Sequence, residues 1–132
     1  PLRGADLREA VRRAAVAFVA ADTLHAMGAR ALAEIAAPGQ WLIQTRGAAG
    51  AVGVVGGAAE PVSVPTRTVP VVDSTGAGDC FHAAALYAWL DGADLREALT
   101  FASAAASLAV QGRGARGGLP AVKDVRAVLE SG

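Results

Sequence analysis

Residues 71–81 read Val-Val-Asp-Ser-Thr-Gly-Ala-Gly-Asp-Cys-Phe, and here an extended apolar run stops and a long helical pattern begins. Asp73, Gly76, Gly78 and Asp79 are crowded into that junction. Glycine lets the backbone turn without a Cβ clash and leaves successive N–H groups free to converge on one spot. A helix N-terminus adds roughly half a positive charge, so the spot suits an anion such as a phosphate. Asp79 falls in or near the first helical turn, a carboxylate beside the place a phosphate would take. A bare helix start, with Asp73 or Ser74 as N-cap, accounts for one cap residue and leaves the second acid unexplained. Other phosphate loops fit poorly. No Gly-Lys-Ser/Thr of a P-loop is present, and Phe81 stands where a dinucleotide fingerprint needs its third glycine.

With 132 residues, 53% hydrophobic and 18% charged, the chain is one domain's worth of globular protein. Twelve basic and 12 acidic residues cancel to a formal net charge of +0, which argues against a nucleic-acid partner or an anionic membrane. Cys80 is the single cysteine, so no internal disulfide forms, which suits a reducing cytoplasm. Charges and glycines break every apolar run well before the roughly 20 residues that a membrane span requires. The first residue is Pro1, and a helical pattern feeds straight into a strand. We therefore expect part of a longer, soluble, cytoplasmic protein.

The flanking patterns alternate helix and strand. Leu7, Ala10, Val11, Ala14 and Ala15 predict an amphipathic helix over residues 6–15. A buried parallel strand is expected at 16–19, then a helix capped by Asp22 or Thr23 and running to Met27, with His25 on its surface. Residues 28–37 read as a further helix ended by Pro38 and Gly39. Two apolar strands at 41–45 and 51–55 flank a glycine turn and suggest a hairpin. Pro61 and Pro65 confine 56–68 to an edge strand or connecting arm. Residues 81–90 are apolar nearly all round, which predicts a buried helix. Asp94 starts another, whose Ala98, Ala102, Ala105, Ala106 and Ala109 make a smooth face, and a last helix spans 122–129. The glycine- and arginine-rich turn at 111–118 carries no aromatic for base stacking, so it is not read as an RNA-binding tract.

The intact run from Asp73 to Asp79 resembles the C-terminal signature of the PfkB/ribokinase family of sugar and nucleoside kinases. The resemblance implies an α/β fold: a ribokinase-like three-layer α/β/α (Rossmann-like) fold, of which this chain holds the C-terminal, nucleotide-binding portion without the substrate half and lid. It implies ATP and Mg²⁺ as cofactors, with K⁺ as a further cation. The stretch from Thr45 through Arg46 and Gly47 to Gly50 resembles the family's Thr-x-Gly-x-x-Gly loop, which borders the ATP phosphates. Ser103 and Ala106 are placed beside the nucleotide. Asp73, Thr75, Ala109, Gly112, Gly114 and Gly118 match positions that wrap a monovalent cation. Asp22 stands where a family Glu helps to hold magnesium through water, and Val19 stands where the same pattern has Asn. A homodimer through the missing lid is also implied.

Phosphoryl transfer asks a protein chiefly to position reactants and stabilise charge. Backbone N–H groups of Gly76, Ala77 and Gly78 would form an anion hole, and Asp79 would accept the proton of a sugar or nucleoside hydroxyl. The helix dipole makes Asp79 a weak base, which suffices if the hydroxyl becomes acidic late in the transfer. A carbohydrate kinase is the expected function. The alternatives are a non-catalytic nucleotide-binding module and, disfavoured by the glycine pattern, a dinucleotide oxidoreductase.

Overall fold

A computed structural model describes residues 4–28, 31–58, 60–112 and 120–131. Helices α1 (Gly4–Arg12) and α2 (Ala21–Ala26) bracket strand β1 (Val16–Phe18). Strands β2 (Trp41–Thr45), β3 (Ala51–Val55) and β4 (Val62–Val64) follow, then helices α3 (Ala77–Leu90), α4 (Leu95–Ala109) and α5 (Val122–Ser131). The sheet order is β1-β2-β3-β4. β1 lies parallel to β2, with Val16 opposite Trp41 and Phe18 opposite Ile43. The expected hairpin is present, pairing Trp41 with Val55 and Thr45 with Ala51. β4 joins β3 antiparallel, with Val64 opposite Ala51.

Alternation along the pleat divides the core between two faces. Trp41, Ile43, Ala51 and Val64 meet Phe81, Ala85 and Ala88 of α3 and Leu95, Ala98, Leu99 and Ala102 of α4. On the opposite face Leu42, Val52 and Val54 pack with Val19, Leu24, Met27, Leu32 and Ile35, and α1 adds Leu7 and Val11. α5 closes a third cluster, setting Val125 against Cys80, Ala104, Ala105 and Ala109. Helices thus cover both faces of the sheet, the expected three-layer α/β/α arrangement. Among the described residues no helix is long and apolar enough to cross a membrane.

Four local expectations are corrected. The helix expected over 28–37 is a single 3₁₀ turn at Leu32–Glu34, with no side-chain cap on Ala31. Leu32 and Ile35 are buried, so their burial signal marks a loop pinned to the sheet rather than a helix face. The pin is Gln40, only 4% exposed. Its Oε1 accepts the Ala37 N–H at 2.9 Å, and its Nε2 donates to the carbonyls of Val11 and, at 2.8 Å, Ala14. Second, α1 stops at Arg12, short of residue 15. Third, the N-cap of α2 is Ala20, without a side-chain bond, and Asp22 lies in the first turn instead of capping it. Fourth, α3 is not buried all round: Leu86, Tyr87 and Leu90 are exposed, Leu90 by 77%.

The start of α4 follows its sequence, since the Asp94 carboxylate accepts the Glu97 N–H at 2.8 Å. Leu99 sits at 0% exposure where α4 meets the sheet. Leu99→Ala should lower unfolding free energy by about 2–5 kcal/mol through lost transfer energy and the cavity left behind. Leu90→Ala in the same chain should stay within about 0.5 kcal/mol. Urea unfolding followed by circular dichroism checks both.

Candidate active site

The junction at residues 71–81 is docked on the end of α4. The carbonyl of Val110 accepts two N–H groups, from Val72 at 2.7 Å and Asp73 at 3.0 Å. The Asp73 carboxylate then turns the chain by accepting the Thr75 N–H at 2.8 Å. Neither Asp73 nor Ser74 is the N-cap of α3. That place falls to Gly76, whose φ of 78° lies in the left-handed region that glycine tolerates, and no side chain caps the helix. The opening N–H groups of α3 lack partners one turn back within the helix. One of them, that of Ala77, donates to the Ser74 carbonyl at 3.2 Å.

Ala77 and Gly78 form part of the wall of a cavity of about 450 Å³. Thr45, Gly47, Gly50 and Ala51 contribute from the hairpin turn, and Ser103, Ala106, Ser107 and Val110 from α4. Sequence-expected residues from three separate stretches therefore meet at one place, beyond the carboxyl end of β2, where open α/β sheets bind ligands. Short hydrogen bonds fix the wall. Arg46 donates its N–H to the Gly50 carbonyl at 2.7 Å, and Thr66 Oγ1 donates to the Gly47 carbonyl at 2.6 Å. Ser103 Oγ donates to the Pro65 carbonyl at 3.2 Å. At Gly50 φ is +91°, and a Cβ there would lie 2.1 Å from the Val64 carbonyl oxygen, so the turn needs glycine twice over.

One wall went unread in the sequence: the arm of Thr66, Arg67, Thr68, Val69 and Val71. The signal was there in Pro65 and Pro70, which hold the arm extended and leave its polar residues without a ladder to join. Ser107 and Val110, one and two turns beyond Ser103, are likewise additions.

None of the charged candidates is in the lining of this cavity. Asp79 is exposed in the first turn of α3, and Arg46 is exposed with its Nε donating to Gln44 Oε1 at 3.1 Å. Asp22 is exposed on α2. Among the described residues no group of three His, Cys, Asp or Glu side chains is placed to hold a metal ion, so a divalent ion finds no all-protein cage there. Of the residues matched to a monovalent cation, Asp73 is held at the end of α4 by its bond to Val110, and Thr75 is bonded to Asp73. Gly114 and Gly118 lie outside the described residues.

A model of the pfkB family of carbohydrate kinases matches residues 6–122. The chain belongs to that family. It is 47% identical over 68 residues to a ribokinase of Bacillus subtilis, a stretch covering 52% of this chain and 23% of that protein. Among solved structures, a Burkholderia thailandensis nucleoside kinase in complex with inosine is matched over 98% of this chain and 43% of that one, with a TM-score of 0.85 and 29% identity. An Arabidopsis thaliana ribokinase complexed with ribose and ATP is matched over 93% of this chain and 43% of that one, with a TM-score of 0.75 and 27% identity. The matched region is thus less than half of each of these pfkB-family relatives.

Beside the signature, burial pushes the Cys80 thiol above its ordinary value, which keeps it protonated and inert in the α3–α4 interface. His82 stacks on Phe18 with ring centroids 4.2 Å apart. Burial lowers its pKa below the ordinary 6.5, and the nearby Asp79 charge opposes the shift without overcoming it. The native state then binds fewer protons at His82 than the unfolded chain does. Stability is fully present above the unfolded value and declines as pH falls through 6.5 toward the lower native one. Melting temperatures taken from about pH 7 down to about pH 5 should fall less steeply for His82→Gln than for the native chain, and equal slopes would remove His82 from the account.

Proposed function

We propose that this chain is the nucleotide-binding and catalytic-base part of an ATP-dependent kinase acting on a hydroxyl of a sugar or nucleoside. The observation that supports it best is the shared cavity, which joins Thr45, Gly47 and Gly50 to the start of α3 and to Ser103 and Ala106. In this reading the adenine lies against the small side chains of α4, and the triphosphate runs toward the uncapped N-terminus of α3. The N–H groups of Gly76, Ala77 and Gly78 receive the γ-phosphate oxygens as the anion hole. Ala77 would exchange its 3.2 Å bond to Ser74 for that contact. Such donors act where charge spreads over the transferring group.

Asp79, exposed one helical step past Gly78, is open to an acceptor hydroxyl and would take its proton as the hydroxyl oxygen bonds to the γ-phosphorus and the bond from that phosphorus to the bridging oxygen breaks, releasing ADP. A magnesium ion bound with the nucleotide would supply charge neutralisation at the phosphates. Asp22 is the carboxylate this chain would lend to its water shell. Arg46 stays available to a phosphate if it releases Gln44. The C-terminal carbonyls of α4, carrying the negative end of the helix dipole, together with Asp73 and Thr75, would seat a potassium ion behind the anion hole.

A non-catalytic nucleotide-binding module is the second reading. It draws on Val19, which replaces the family's Asn and is 2% exposed within an apolar cluster. Turnover separates the two. In a family-length polypeptide carrying this chain, the first reading expects ATP-dependent phosphorylation, with Asp79→Asn lowering kcat by about 10²-fold or more and leaving ATP affinity within about twofold. ATP binding without any transfer selects the second reading, and native turnover by Asp79→Asn removes Asp79 as base.

A further inference from the structure

A single charged side chain, Arg67, lies in the lining of the cavity; the rest of the wall is glycine, alanine, valine, phenylalanine, serine and threonine. Arg67 is partly buried, and among the described residues its guanidinium has neither a hydrogen bond nor an ion pair. The 12 acidic side chains of the sequence all belong to described residues, so no carboxylate remains to neutralise it. A cation drawn partly out of water without a counter-charge is unfavourable, and an anion entering the cavity would relieve it.

The arm that carries Arg67 is tied down on both sides of it. Before it, the Pro65 carbonyl accepts from Ser103 at 3.2 Å and Thr66 Oγ1 donates to the Gly47 carbonyl at 2.6 Å. After it, the Val72 N–H donates to Val110 at 2.7 Å. Arg67 is therefore held next in the chain to the bond that reaches the hairpin turn. The hydroxyls of Thr66, Ser103 and Ser107 already donate to protein carbonyls, so toward a ligand they offer acceptors. Arg67 brings an uncommitted fork of N–H donors to the same wall, a shape that matches two phosphate oxygens at once.

We propose that Arg67 is the side chain that grips the phosphate chain of the nucleotide, an inference that rests on the nucleotide-binding reading above. Phosphate is the anionic part of such a ligand, and it is the part that a permanent cation selects. Arg46 is worse placed for the task. It is outside the cavity lining, and its Nε donates to Gln44, whose side chain is 6% exposed and would lose that partner if Arg46 swung away. The two phosphate-binding devices then divide the work. The backbone N–H groups of α3 meet the terminal phosphate, and Arg67, on the arm beside the hairpin turn, holds a phosphate that ATP and ADP share.

Calorimetric titration of the chain with ATP, ADP and adenosine tests this. Arg67→Gln weakens ATP and ADP alike by about tenfold or more and leaves adenosine within about twofold. Added salt weakens ATP binding to the native chain more than to Arg67→Gln, because the variant has lost the charge that salt screens. Arg67→Lys recovers part of the loss, having the charge without the fork. Arg46→Gln costs less than Arg67→Gln, and Arg12→Gln, which removes a charge from exposed α1, stays within about twofold. The melting temperature of unliganded Arg67→Gln matches the native one, since the guanidinium has no partner in the chain to lose. Unchanged ATP affinity in Arg67→Gln overturns the proposal and leaves Arg67 as a solvated head on an apolar stem. Equal losses for adenosine and ATP also overturn it, by moving the contact to the base or sugar. A native chain that binds none of the three removes the nucleotide reading and this contact together. A family-length polypeptide that loses ATP affinity on Arg67→Gln yet transfers no phosphate counts against the kinase reading alone.

Discussion

The carbonyl oxygen of Val110 is the point on which the site depends. By accepting the N–H groups of Val72 and Asp73 it ties the approach to α3 onto the last turn of α4. A carbonyl there has no partner further along its own helix, so it is free to receive both donors. Asp73 can then turn the chain through its bond to Thr75, and Gly76 can enter α3 in a left-handed conformation. Ala77 and Gly78, the first residues of α3, thereby line the cavity with the hairpin turn and α4. No side-chain cap occupies the opening donors of the helix there.

α4 carries the rest of the arrangement. Its alanines allow the close approach of α3 on one side and α5 on the other, while Leu95 and Leu99 reach down to the sheet. The face left between these contacts presents Ser103, Ala106 and Ser107 to the cavity, where small side chains keep the space open. Ser103 in addition holds the Pro65 carbonyl, and Thr66 holds Gly47, so hydrogen bonds tie the arm to both the helix and the hairpin turn. Packing and ligand space are therefore set by the same residues. Enlarging any of these alanines would trade one for the other.

Much of this was legible in the sequence because the strongest signals were local. The two apolar runs around the glycine turn marked the β2–β3 hairpin, the Asp94 cap began α4 where expected, and the run from Asp73 to Asp79 marked the helix start. The failures came where tertiary contacts replace local preference. Residues 28–37 carry helix-like spacing in Leu32, Ile35 and Ala36, yet the buried amide of Gln40 claims the backbone N–H of Ala37 and holds the segment as a loop. α3 reads as apolar all round, and its exposed stripe is invisible to periodicity because an uncovered apolar face looks the same in sequence as a buried one. The arm that includes residues 66–68 was legible only as an edge strand or connection, because nothing in its irregular sequence marks it as the cavity wall it forms. Asp22 and Arg46 were placed by family pattern, and neither is in the lining of the cavity.

The central claim is that nucleotide phosphates are received by backbone N–H groups at the start of α3. Amide resonances of the isotope-labelled chain, followed by NMR during titration with ATP, report on those groups directly. The account predicts that the largest downfield shifts fall on Gly76, Ala77 and Gly78, with smaller changes at Gly47, Gly50 and Ser103. Saturable binding that leaves the Gly76–Gly78 amides unmoved, or shifts gathered instead in the groove of Tyr87, Arg96 and Arg126, would contradict it.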